Sequence, residues 1–164
     1  MLVSIFVACS DTTMDSGGDT ADSGDSAAPT GAGTLAISVK MEDDLLADLA
    51  EDGEDAISTV AFDVYLEADV VETSGPIAGA VALGSYSGQV DLSVDGGPTA
   101  VLYTTDPLDP QIVYVLGCLD SDHNDDCGDA GDPVTFPTMN KFQVEAGVES
   151  PITMQLGLRR PSDQ

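Results

Sequence analysis

Between Asp120 and Asp132 the chain carries six carboxylates, at Asp120, Asp122, Asp125, Asp126, Asp129 and Asp132, with Asn124 among them. Carboxylates packed this closely repel one another. A hard cation such as Ca²⁺ removes that cost, because it takes several oxygen ligands from carboxylates, Asn amides and backbone carbonyls. The expected ligands are the side-chain oxygens of Asp120, Asp122, Asn124 and Asp132, with Asp126 contributing by side chain or backbone. The alternative is a solvated, metal-free acidic turn.

The D-x-D-x-N start resembles the opening of an EF-hand loop, but the sixth position is Asp125 rather than Gly and the twelfth is Gly131 rather than Glu. The flanks also read as strand. The expectation is therefore a Ca²⁺ loop on a β scaffold. Cys118 and Cys127 bracket the loop, and in an exported protein they are expected to pair as a disulfide. A Zn²⁺ site is the rival, since Cys118, His123 and Cys127 have a tolerable spacing but offer only three N/S ligands.

Catalytic constellations are sparse. His123 is the only histidine. Gly84-Ser85-Tyr86-Ser87-Gly88 has Tyr86 where a nucleophile elbow needs Ser, and no glycine-rich phosphate loop with Lys occurs. No catalysis is expected. The alternative is a metal-dependent or hydrolytic enzyme using the 120–132 carboxylates and His123.

The loop needs elements to hold it, and those are β-strands. Leu35, Ile37 and Val39 alternate with small or polar residues, as do Val60, Phe62, Val64 and Leu66, then Val90, Leu92 and Val94, then Phe142 and Val144, and finally Ile152, Met154, Leu156 and Leu158. Gln111 to Leu119 is apolar on both faces, the pattern of a central strand, and it delivers Asp120 at its end. Ile77 to Leu83 reads as a strand of small apolar residues, and Val101 to Tyr103 begins another. Leu45, Leu46 and Leu49 sit at helical spacing before Gly53, the pattern of one short helix near 42–50, with an acidic insertion without structure as the alternative. The expectation is an all-β fold, a Greek-key β-sandwich of about seven to eight strands. It spans 34–158, with a polar tail at 159–164.

The remaining sequence concerns location. The 164 residues carry a formal charge of −26, with Lys40, Lys141, Arg159 and Arg160 as the only basic side chains. That excludes a nucleic-acid partner and a polybasic membrane contact, both of which need Lys and Arg. With no Trp and four Tyr, a glycan platform has little aromatic surface to draw on. Residues 10–33 are almost entirely Asp, Ser, Thr, Gly, Ala and Pro and read as a disordered acidic tether.

Met1 to Ala8 is too short to cross a bilayer, which takes roughly 20 apolar residues. Phe6-Val7-Ala8-Cys9 resembles a bacterial lipobox, although Leu is usual where Phe6 stands and a basic n-region is missing. That resemblance implies a signal segment 1–9 cleaved before a lipidated Cys9. It also implies membrane attachment through the lipid, at the outer membrane or cell surface of a Gram-negative bacterium. Lipidation of Cys9 would leave Cys118 and Cys127 as an even pair.

The body resembles the transthyretin-like or carboxypeptidase-regulatory-like sandwiches of bacterial surface proteins. The matching pieces are G-x-L-x-I-x-V at Gly33 to Val39, the strand Tyr114 to Leu119 running into D-x-D-x-N, Gly131-Asp132-Pro133, and the Gly147 turn with its following strand. The likeness extends loosely over 33–158. It implies a surface binding or structural module whose partner is a protein or a glycan.

Overall fold

The computed structural model describes residues 30–161. The expectations for Cys9, the signal segment and nearly all of the acidic tether lie outside the described residues. In chain order the elements are β1 (Thr34–Met41), α1 (Asp43–Asp52), β2 (Ile57–Leu66), β3 (Val70–Val71), β4 (Gly75–Pro76), β5 (Gly84–Asp91), β6 (Tyr103–Thr104), β7 (Ile112–Asp120), β8 (Pro133–Thr135), β9 (Lys141–Gln143) and β10 (Glu149–Arg159).

Eight strands form one curled sheet in the order β5-β2-β7-β8-β10-β1-β6, with β9 also on β7, while β3 and β4 make a separate hairpin. The fold is all-β and sandwich- or barrel-like, as the strand alternation predicts. The period-two residues supply the core from both halves. Leu35, Ile37, Val39 and Met41 of β1 and Met154 and Leu156 of β10 share one cluster with Val60, Phe62 and Val64 of β2 and Val113, Val115 and Leu119 of β7. Each fully buried aliphatic side chain contributes about 1.5–3 kcal/mol, so this cluster drives the closure. The sheet is narrowest where β7 meets β8, joined by the single pair Cys118 and Val134. A register shift between Leu156 and Leu158 bends β10 against β8.

The helix forms where the leucine spacing predicts it. Leu45 and Leu49 are buried against the core, Asp43 and Asp44 lie favourably at the positive end of the helix dipole, and Gly53 ends the helix in a left-handed conformation (φ 75°).

Three expectations need correction. Ile77 to Leu83 is not a strand: the segment turns through Gly79 (φ 87°), Ala80 N–H bonds back to Ile77 O, and Val81 is 74% exposed. Its small apolar residues find no ladder partner. Val94 leaves the alternation because the chain turns at Asp95 and Gly96, both at positive φ. Arg159 is not tail, since it ends β10 opposite Pro133.

The two outer edges of the sheet differ. The outward side of β1 is covered well beyond the two residues of β6. Met41 N–H bonds Gly96 O, Thr99 and Leu102 N–H bond Val39 and Ile37 O, and the hydroxyls of Thr99 and Thr105 accept from Val39 and Leu35 N–H. β5, at the other edge, pairs with β2 alone.

Candidate metal centre

The acidic loop hangs between two fixed points. β7 holds Asp120 through its pairing with Thr59 of β2, and β8 begins directly after Asp132. Cys118 and Cys127 form the expected disulfide, with a Cα–Cα distance of 5.7 Å, and it ties the middle of the loop to β7. Because both sulfurs are used, the Zn²⁺ arrangement with His123 does not form.

The two carboxylates nearest the strands are buried, with Asp120 5% and Asp132 1% exposed. Burying a carboxylate is costly unless donors surround it, and the loop backbone supplies them. Asp120 accepts from Asn124 N–H at 3.0 Å and Asp125 N–H at 3.2 Å. Asp132 accepts from Ser121 N–H at 2.9 Å, Ser121 hydroxyl at 3.0 Å and Gly128 N–H at 2.8 Å. These bonds need a tight loop path, which explains the left-handed φ of 59° at His123 and 67° at Asp125, and of Gly128. Asp132 Oδ1 accepts two of these bonds, while both Asp120 oxygens and Asp132 Oδ2 accept one each and keep a lone pair, so the bonds orient the acids without exhausting them.

One oxygen from each of Asp120, Asp122 and Asp132 falls within 4.8 Å of the others. Asp122 is exposed. Desolvation in the loop, with the charges of Asp129, Asp132 and Asp120, pushes its carboxyl above the usual range, against the lowering effect of Asn124 N–H. Of the other expected ligands, Asn124 directs its amide nitrogen to Asp122 (3.0 Å) and Asp129 (2.8 Å), while its oxygen accepts Asp126 N–H at 2.7 Å. Asp126 is exposed and stands outside the gathered three. Asp129, not among the expected ligands, has one oxygen, Oδ1, buried without any hydrogen-bond donor.

The basic side chains nearby serve other groups. Arg159 donates to Gly131 O at 2.6 Å and pairs with Asp52 and Glu54, the latter at 2.6 Å. Burial opposes its charge, but Asp52 and Glu54 outweigh that and hold the guanidinium above its ordinary value. Arg160 donates to Gly128 O. Among the described residues no Lys or Arg forms an ion pair with Asp120, Asp122, Asp129 or Asp132. Glu54, just past α1, shares the single Ser121 hydroxyl proton with Asp132, its oxygen lying at 2.8 Å, and so buttresses the loop. No local motif marks these arginines, because they reach the loop only through the pairing of β10 with β8.

His123 Nδ1 lies 3.2 Å from Ser58 Oγ, and its Nε2 lies 3.8 Å from Asp55. This has the residue types of a nucleophilic triad. Ser58 is fully buried, however, and donates its hydroxyl proton to Asp120 O, so that proton is committed to a carbonyl rather than to His123 and the oxygen is closed to solvent.

No family model, no curated protein and no solved structure matches the chain.

Proposed function

We propose that this chain is an exported, lipid-anchored β-sandwich that serves as a binding or structural module, with Ca²⁺ ordering its acidic loop and no catalysis. The observation that carries the reading is the carboxylate group of Asp120, Asp122 and Asp132 within 4.8 Å, beside a donor-less buried oxygen of Asp129. The acids have fixed orientations and no cationic side chain for a partner. A hard divalent cation supplies what the chain does not. Asp129, whose Oδ1 lacks a donor, joins the expected ligands as a further side chain to hold it.

The Cys118–Cys127 disulfide supports export, since such bonds persist in oxidising compartments. The lipobox-like segment ending at Cys9 and the likeness to transthyretin-like surface sandwiches supply the anchor and the module class. A lipid at Cys9 is tested by mass spectrometry of the native N-terminus, and an unmodified chain beginning at Met1 overturns the anchor.

The calcium reading is tested by thermal melting in EDTA and in millimolar Ca²⁺. Calcium at a hundredfold excess over its dissociation constant raises stability by about 2.7 kcal/mol. Asp122→Asn, at an exposed position, should fold normally and lose most of that response. Superimposable curves in EDTA and Ca²⁺ would return the loop to a solvated acidic turn. The competing enzyme reading requires turnover on a hydrolase substrate panel that disappears in His123→Ala.

A further inference from the structure

The free edge of β5 is unguarded. Sheet edges in soluble proteins carry charges, Pro or bulges that prevent further pairing. β5 reads Gly-Ser-Tyr-Ser-Gly-Gln-Val-Asp, pairs with β2 in unbroken register over all eight residues, and has one charge, at its end. In an antiparallel ladder, alternate residues turn both backbone groups to the same side. Leu92 N–H bonds Ala56 O one step beyond the strand, so the even-numbered residues face β2 and Ser85, Ser87, Gln89 and Asp91 face outward. Among the described residues no hydrogen bond reaches the outward backbone of Ser85, Ser87 or Gln89. These residues are also exposed, whereas the outward side of β1 is covered by backbone and threonine bonds.

We propose that this edge is a strand-addition site for an extended segment of another protein, one that alternates short apolar residues with Lys or Arg. The backbone groups fix the extended conformation. On the core side, the added residues continue the row of Tyr86 and Val90 beside the Tyr86–Tyr103 contact (centroids 6.3 Å apart), which favours apolar groups. On the outer side a shallow depression of about 470 Å³ lies among Ala61, Asp63, Ser85, Ser87 and Gly117, wide enough for a long side chain. Asp63 stands beside Ser85 at one end of that face and Asp91 at the other. With −26 overall, the chain attracts a cationic strand and repels a second copy of itself. The proposal rests on the binding-module reading but not on calcium.

The test uses the full chain and a synthetic peptide of four Lys-Val repeats, followed by amide hydrogen exchange in EDTA and in Ca²⁺. Exchange at Ser87 and Gln89 should slow by about tenfold or more in both buffers, and the same peptide N-methylated at alternate residues should not slow it. Ser87→Pro removes an outward N–H without touching a bond to β2, and should weaken peptide binding by about tenfold at an unchanged melting temperature. The methylated peptide keeps the test decisive should that variant misfold. The proposal is overturned if both peptides act equally, if the protected amides lie away from β5, or if dilution reveals a dimer of the chain protecting the same amides. A β5 edge that stays unprotected leaves the calcium melts as they were, so the two readings fail separately.

Discussion

Carboxylates cluster at both ends of β7, and the two clusters are neutralised differently. Near the start of the strand, Lys141 bonds Glu67 at 2.7 Å and Glu72 at 3.3 Å, and its ammonium lies 5.5 Å from the centroid of Tyr114, whose hydroxyl also donates to Glu72. That cluster is complete within the chain. At the far end the loop has more carboxylates and spends its nearby arginines on carbonyls and on Asp52 and Glu54. With four basic residues in the sequence, this placement decides which acids stay without a counter-charge. The closed cluster fastens strands together, whereas the open one has no basic partner among the described residues.

The largest expected effect comes from removing what holds the open cluster in shape. Cys118→Ala with Cys127→Ala should cost roughly 2–3 kcal/mol on the chain-entropy account of a ten-residue loop. It should also erase most of the calcium-dependent gain in melting temperature, because Asp120 and Asp122 lie inside the closed loop. Loss of stability with an intact calcium response would show that the site does not depend on the disulfide.

The arginine and the lysine give the next contrast. Arg159 is mostly covered and its partner Glu54 is equally so, while Lys141 and its partners are more open to solvent. Arg159→Met leaves Glu54 half-buried and unpaired and should destabilise by about 2 kcal/mol. Lys141→Met should cost under about 1 kcal/mol, as exposed pairs do. Urea melts of the two variants measure the difference, and equal losses would mean that the buttress at Glu54 carries no special weight.

The same contrast separates what the sequence made legible from what it hid. The strands around Ile37, Phe62 and Met154 follow from alternation, and α1 follows from Leu45, Leu49 and Gly53, because local period and burial agree there. The disulfide was legible because both cysteines bracket one loop. Hidden were the parallel pairing of β1 with β10, joining residues more than a hundred apart, and the edge cover supplied by Thr99 and Thr105. Those are choices of partner, and composition does not encode partners. The turning of the Asn124 amide nitrogen toward Asp122 and Asp129 has a similar cause. Alternate spacing from Asp120 favoured Asn124, but the left-handed turns at His123 and Asp125 redirect its amide to donate.

The smallest effect is a titration, and it distinguishes the clusters by sign. The Tyr114 hydroxyl and Lys141 hold the Glu72 carboxyl below its ordinary range. A depressed carboxyl favours folding above its unfolded pKa, and that contribution fades as pH falls through the folded one. Asp122 is pushed the other way, by desolvation and by Asp129, Asp132 and Asp120. Its contribution is present below the unfolded pKa and is lost as pH rises through the folded value, so at neutral pH its charge burdens the metal-free loop. A bound cation reverses that preference by favouring the ionised form. Carboxyl ¹³C NMR in EDTA should therefore find Asp122 titrating above the usual Asp range and Glu72 below the usual Glu range. Adding Ca²⁺ should bring Asp122 down and leave Glu72 where it was. An Asp122 midpoint that ignores calcium would detach this residue from the site, even if the melting curves respond.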